Sequence, residues 1–335
     1  MAPLTGLFGK KRSNGASNGE TTIFFATDLH GSEVCFRKFV AAAGFYGADL
    51  LVLGGDITGK HVTPIVLDGE GGAWAEIHGE RRKLRKREID DYELQAADEG
   101  IYTRRMTAEE HARFEEHPEE VDALFAQLMR ERLEHWIEYA RERLDGTGVR
   151  ILTAPGNDDP FEVDDVIRER GGDTVLLMEG EVCEVSPGHE MINCGWSNRT
   201  PWHTHREFDE PQLRDRIEAM AQRLDRPETA LFNLHVPPYD SQLDTAPALD
   251  EDLAVKTSMG AQITAPAGST AVREAIEAHQ PLVSLHGHIH ESGGSVRIGR
   301  TLAINAGSEY GEGILHGALI TVGGGRLHRF QATTG

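Results

Sequence analysis

The stretch Ile23-Phe24-Phe25-Ala26-Thr27-Asp28-Leu29-His30 decides the fold. A short apolar run, the length of a buried strand, leads straight into two side chains of metal-binding type. The same pairing recurs four times downstream. Leu50-Leu51-Val52-Leu53 leads into Gly54-Gly55-Asp56, and Arg150-Ile151-Leu152 into Pro155-Gly156-Asn157-Asp158. Ala230-Leu231-Phe232-Asn233-Leu234 leads into His235, and Pro281-Leu282-Val283-Ser284-Leu285 into Gly287-His288-Ile289-His290. Helical stretches separate these runs, which is the alternation of an α/β architecture. In open α/β sheets ligands gather outside the carboxyl ends of the strands, where loops converge. The runs therefore predict one site assembled from five loops.

Working outward, the residues between the second and third runs differ in composition. A hairpin is expected from Pro64-Ile65-Val66-Leu67 and Ala73-Trp74-Ala75-Glu76-Ile77. Thr107-Ala108-Glu109-Glu110 reads as a capping box for a short helix, and Pro118 suits the first turn of a longer one over 118–144. Val121, Leu124, Phe125, Leu128, Leu133, Ile137, Ala140 and Leu144 keep a helical spacing along one face, and Asp145-Gly146 ends it. Residues 62–147 are thus read as a mainly helical insertion in a single domain over 21–335. Residues 1–20, rich in Gly, Ser and Asn, read as a disordered tail. Further helices are expected over 211–224 and 269–278. Short strands follow near 301–304, 318–322 and 327–330, with Gly323-Gly324-Gly325 as a hairpin turn.

Bulk composition narrows the function. The 335 residues are 39% hydrophobic and 27% charged, an ordinary soluble balance. No apolar run approaches the roughly 20 residues that span a bilayer. The amino terminus lacks the basic segment and apolar stretch of a secretory signal, so a cytoplasmic location is expected. Cys35, Cys183 and Cys194 show no paired spacing and read as small buried apolar residues. The formal net charge of −21, from 55 acidic and 34 basic residues, argues against general nucleic-acid binding. A phosphorylated substrate would face the same repulsion, so metal ions or arginines must override it locally.

The loop residues supply that means. Asp28, His30, Asp56, Asn157, His235, His288 and His290 form a mixed imidazole, carboxylate and amide set, suited to borderline divalent metals. Seven ligands exceed one tetrahedral site, and two ions about 3.5–4 Å apart sharing a bridging carboxylate are the natural arrangement. Manganese is expected first, with iron or zinc also fitting the set.

The order D-x-H, G-D, G-N-x-D, H, G-H-x-H resembles the calcineurin-like metallophosphoesterase superfamily. Gly195-Trp196-Ser197-Asn198-Arg199-Thr200-Pro201-Trp202 and Asn305-Ala306-Gly307-Ser308 look like its archaeal and bacterial branch. The resemblance covers residues 23–322 apart from the insertion. It implies a four-layer fold, two packed mixed β-sheets flanked by helices. It also implies that one ion takes Asp28, His30 and His290, the other Asn157, His235 and His288, with Asp56 bridging. The activity implied is hydrolysis of a phosphoester bond by a metal-bridging hydroxide, with Asp56, Asn157, Asp158 and His235 in the catalytic set.

One departure bears on the substrate. The superfamily often has G-N-H-D or G-N-H-E, where the histidine can protonate the leaving oxygen. Here Asp158 stands in its place. A carboxyl with an ordinary pKa near ~4, lowered further by cations, is a poor general acid at neutral pH. Phosphodiester or pyrophosphate substrates are therefore favoured over monoesters, with a phosphomonoesterase or protein phosphatase as the alternative. A non-catalytic scaffold on the same fold is the reading from another class. His203 or His205 could supply the missing proton, and Arg199 and His203 are candidate contacts to a small phosphorylated substrate. Trp196 and Trp202 read first as core residues, with stacking on an aromatic substrate group as the alternative. The basic run Arg81-Arg82-Lys83-Leu84-Arg85-Lys86-Arg87 is followed by Glu88, Asp90, Asp91 and Glu93, so an ion-paired, solvated segment is expected. The insertion is left either as a rim over the site or as an oligomer contact.

Overall fold

The computed structural model describes residues 19–77 and 79–335. The expected tail over 1–20 lies outside the described residues except for Gly19 and Glu20.

Two mixed six-stranded sheets form the body. The first runs Arg326–Thr334, His316–Gly323, Thr21–Ala26, Leu50–Leu53, Arg150–Thr153, Val175–Leu177. Its last four strands are parallel, and the carboxyl-terminal hairpin adds two antiparallel strands. The second runs Gly294–Ile298, Thr301–Asn305, Val283–His286, Leu231–Leu234, His189–Cys194, Val182–Ser186. Its four central strands are parallel and its edges antiparallel.

Strand alternation builds the layers, because successive side chains point to opposite faces. Ile23, Phe25, Leu50, Val52 and Leu152 of the first sheet meet Met191, Leu231, Val283, Leu285 and Ile304 of the second in one buried cluster. Phe24, Ala26, Leu51 and Leu53 point the other way, into a cluster with helix Glu33–Tyr46 and with Met129, Leu133, Trp136, Ile137 and Ala140 of helix Pro118–Leu144. Phe232 and Leu234 face helices Glu210–Ala221 and Thr270–His279. Helix, sheet, sheet, helix is the four-layer order that the resemblance implied.

Local signals set the ends of the elements. Ser32 caps helix Glu33–Tyr46 by accepting from the Cys35 N–H, and left-handed Gly47 ends it. Thr107 and Glu110 form a reciprocal capping box, and Pro118 opens the long helix. Gly324 and Gly325 take positive φ in the final hairpin turn. The three cysteines are free and buried.

Helix makes up most of residues 62–147, but the segment also carries a four-stranded sheet in the order Glu80–Leu84, Ala73–Ile77, Val62–Leu67, Tyr102–Met106. The pattern showed only its first hairpin. Glu80–Leu84 is too charged to read as a strand, because it is an edge strand with four of its five residues exposed. Tyr102–Met106 pairs in parallel across helix Lys86–Asp98, a long-range contact with no local signature.

Candidate metal centre

Each candidate ligand follows a central strand. Asp28 and His30 follow Thr21–Ala26, Asp56 follows Leu50–Leu53, and Asn157 follows Arg150–Thr153. His235 follows Leu231–Leu234, and His288 and His290 follow Val283–His286. Backbone bonds tie the first two loops together: the Asp28 N–H donates to the Gly55 carbonyl (2.9 Å), His30 to Asp56 (3.0 Å) and Gly31 to Ile57 (2.8 Å). Asp28, His30, Asp56 and His288 all adopt positive φ, a conformation that costs a non-glycine residue on the order of 1 kcal/mol. Such strain gathered in four ligand positions is what a functional site retains.

Close packing then excludes side chains at two glycines. A Cβ on Gly156 would lie 2.2 Å from Asp56 Oδ1, and one on Gly287 would lie 2.1 Å from Asp28 Oδ2. The carboxylates can stand where they do only because these positions are bare.

The outcome is one cluster with two lobes. Ligand atoms of Asp28, His30 and His290 all lie within 4.8 Å of one another, and so do those of Asp56, His235 and His288. Asp56 faces both lobes, with Oδ2 3.4 Å from His235 Nε2 and 3.6 Å from His30 Nε2. His30 Nε2 and His290 Nε2 are 3.1 Å apart. Asn157 Oδ1 and His235 Nε2 are buried without a hydrogen-bond partner. Neither is an accident of orientation. The Asn157 amide donates to Asp158 Oδ1 and Thr204 Oγ1, both at 2.9 Å, which leaves its oxygen free. His235 Nδ1 sits 3.0 Å from the Gly54 carbonyl, which leaves Nε2 for the cluster. Buried polar atoms without partners are costly, and a divalent cation would satisfy both.

Charge favours the same occupant. Burial works to raise Asp28 and Asp56, yet the imidazoles of His290 and His235 hold both carboxyls below their ordinary range. Burial drives His30 down to about 3, and burial together with His235 drives His288 down to about 4. Burial opposes the charge on His235 as well, but Asp56 and Asp28 carry it up to about 10. His290 is raised against burial by its bond to Asp28. Two carboxylates are thus kept ionised out of water, an arrangement that holds when cations compensate it.

The surroundings are built to position these groups. The Asp159 carboxylate accepts from the N–H groups of Ile57 (3.0 Å), Thr58 (2.9 Å) and Gly156 (2.7 Å) and from the Thr58 hydroxyl (2.8 Å). It ties the Asp56 loop to the Asn157 loop, and burial, with Asp56 adding, pushes its carboxyl up to about 6. Buried Arg206 donates to the Asp159 and Pro160 carbonyls (3.0 Å each) and to Asp164 (2.7 Å). Its own N–H reaches the Asn157 carbonyl (3.2 Å). The Ser308 hydroxyl donates to the Asp28 carbonyl (2.7 Å), and Tyr310 lies 4.7 Å from the His30 ring, centre to centre.

Asp158 stands at the cluster's edge, where it offers an oxygen within 4.8 Å of ligand atoms of His30 and Asp56. Its N–H donates to Asp56 Oδ1 (3.0 Å), and its Oδ2 meets Lys60 Nζ at 2.5 Å. Among the protein's own groups, burial and then Asp56 raise its pKa, against Lys60, so the lowering expected from cations is not a property of the chain alone.

The expected substrate contacts are placed differently. Exposed Arg199 donates to Asp209 (3.0 Å) and makes no described contact with the cluster. His203 and His205 are exposed, and their loop touches the cluster through Thr204. Trp196 stacks on Phe208 at 4.0 Å, as a core residue should, whereas Trp202 is 65% exposed. Lys60, Thr204, Arg206 and Tyr310 were not singled out from the sequence. Only Asp159 left a trace there, as the second acid of Gly156-Asn157-Asp158-Asp159.

No family model matches the chain. MJ1162, an uncharacterized protein of Methanocaldococcus jannaschii, is 27% identical over 159 residues, or 47% of this chain. The match spans 63% of that relative, less than two thirds of its length. One solved structure superposes with a TM-score of 0.56 at 14% identity, over 94% of this chain and 98% of the other, a likeness of fold alone. An archaeal phosphodiesterase matches at TM-score 0.38 and 9% identity, over 93% of this chain and 99% of its own. Yfce, a phosphoesterase from E. coli, matches at 0.32 and 12%, over 92% and 98%. Scores that low carry no functional argument. What the chain itself shows is two packed mixed sheets with strand-end loops converging on one Asp/His cluster. No helix among the described residues is long and apolar enough to cross a membrane.

Proposed function

We propose that this chain is a dimetal phosphoesterase acting on phosphodiester or pyrophosphate bonds of a small phosphorylated substrate. The observation that carries the reading is the convergence of six candidate ligand side chains into two lobes that Asp56 faces, with the buried, unpartnered Oδ1 of Asn157 in the adjoining loop. Asp28, His30 and His290 would hold one ion and Asn157, His235 and His288 the other, with Asp56 between them; manganese is the first candidate and iron or zinc also suit the donors. Two divalent ions, when bound, stabilise charge on the transferring phosphoryl group and lower the pKa of a water to roughly 7.

The chain's own residues do the rest. Asp28 and Asp56 bring the anionic charge that retains the ions. Asn157 contributes a neutral oxygen, oriented by Asp158 and Thr204. The Gly54 carbonyl fixes the direction of His235. The lean toward diesters rests on position 158, where a carboxylate paired with Lys60 replaces an imidazole that could protonate an alkoxide leaving group.

The test is hydrolysis of bis-(p-nitrophenyl) phosphate beside p-nitrophenyl phosphate, after chelation and with Mn²⁺ added back. Mn²⁺-dependent diester turnover above the monoester rate is expected. A faster monoester rate would overturn the substrate preference, and a chain that takes up no metal would overturn the dimetal reading.

A further inference from the structure

The global charge of −21 repels any phosphate, and the site adds a carboxylate of its own in Asp158. Most cations nearby are already engaged. Arg206 is buried against the Asp159 and Pro160 carbonyls and Asp164, Arg132 donates to the Gly31 carbonyl (2.7 Å), and Arg199 is paired with Asp209. Lys60 differs. Its side chain is 38% exposed, and its one hydrogen-bonding partner among the described residues is Asp158 Oδ2. An ammonium group has three donors, so two remain unused. Asp158 lies beside His30 and Asp56, which brings Lys60 to the mouth of the cluster. Its backbone is held as well, because the neighbouring Gly59 N–H donates to the buried Tyr102 hydroxyl (3.0 Å).

Resting on the dimetal reading above, we propose that Lys60 grips a non-bridging phosphoryl oxygen of the substrate, with Asp158 as the residue that positions it. The pairing explains why a carboxylate is tolerated at 158. Alone it would repel the phosphoryl group, but bonded to Lys60 it orients a cation toward that group at no net cost in charge. A flexible ammonium with free donors suits phosphate as a point charge, with less geometric demand than an arginine fork.

The experiment uses the full-length chain loaded with Mn²⁺ and inorganic phosphate as the probe, titrated calorimetrically, beside KM and kcat for bis-(p-nitrophenyl) phosphate. Lys60→Met should weaken phosphate binding about 10- to 100-fold, the range for losing a charge-assisted hydrogen bond, and raise KM more than it lowers kcat. Lys60→Arg should recover most of the phosphate affinity, and Asp158→Asn should lose part of it. Phosphate affinity and KM both within about twofold of wild type in Lys60→Met would overturn the proposal. Metal content, measured on the same samples, separates the two readings. A wild type without bound Mn²⁺ overturns both, and two bound ions beside an indifferent Lys60 overturn this one alone.

Discussion

The five loops of the candidate site and the segment over 62–147, read as an insertion, touch one another, yet they are held by different forces. In the loops, buried carboxylates and backbone groups satisfy each other at short range: Asp159 collects four hydrogen bonds from two loops, and positive φ is imposed on four ligand residues. The segment over 62–147 is held by apolar clusters and by helix Pro118–Leu144 packed on the body, and its surface is lined with exposed ion pairs. Arg105 pairs with Asp90 and Glu93, Arg113 with Glu120, and Arg85 with Glu88. Such surface pairs contribute roughly 0–1 kcal/mol each. The insertion meets the site through a few contacts only, among them Tyr102 to Gly59, Arg132 to Gly31, and the Ser32 hydroxyl donating to the Asp98 carbonyl (2.5 Å). The contrast teaches where change is tolerated. A small displacement in the loops moves a ligand, whereas one on the insertion's surface moves a solvated charge.

Substitution inside the loops should break function most. Asp56→Asn removes the carboxylate facing both lobes, and turnover should fall by ~10³-fold or more, several kcal/mol of lost charge stabilisation. Turnover within a few-fold of wild type, with two ions still bound, would refute the shared role of Asp56.

Gly156→Ala tests the packing instead of the chemistry. The new Cβ meets Asp56 Oδ1 at 2.2 Å and the Asp56 backbone nitrogen at 2.4 Å, so the loop must shift. A misplacement of about 1 Å costs ~10²-fold in rate. A crystal structure of the variant showing Asp56 unmoved, with normal kinetics, would dismiss the steric account.

His235 gives a pH signature that the insertion should lack. Its folded-state pKa, about 10, lies above its ordinary 6.5. The stability it contributes is therefore complete below pH 6.5 and is lost as pH rises through about 10. The metal-free protein should melt at progressively lower temperature across that window. Metal binding needs a neutral imidazole, so Mn²⁺ uptake at pH 8 should release protons, seen as a buffer-dependent calorimetric enthalpy. A metal-free melting temperature that stays level across the window would contradict this ionisation.

The smallest effect belongs to the insertion. Thr107→Ala removes the cap on helix Ala108–Glu116 and should cost ~1 kcal/mol of stability, read by denaturant unfolding, with kcat and KM unchanged. A loss of activity there would show the insertion to be coupled to the site more tightly than its contacts suggest.

These differences also track what could be read in one dimension. The strand runs, the candidate ligands that follow them, the capping box at Thr107 and the long helix from Pro118 are local, and each was visible in spacing and residue type. The parallel strand Tyr102–Met106, the charged edge strand Glu80–Leu84 and the clamp of Arg206 on the Asn157 loop were not. Each depends on a partner far away in sequence. Arg199 illustrates the converse, because the resemblance and its residue type offered it to a phosphate, whereas Asp209 engages it at the surface.

By itself, the sequence determined the α/β class and the strand-end loops that carry the seven candidate ligands, because strand length and ligand type are properties of short segments. Only the tertiary structure brought the two sets of ligands implied by the resemblance into reach of one another, bound Asp158 to Lys60, and showed that bare glycines at 156 and 287 let the carboxylates approach. Those are distances between residues up to 262 positions apart, as between Asp28 and His290, and nothing in a linear pattern encodes them until the two sheets have packed.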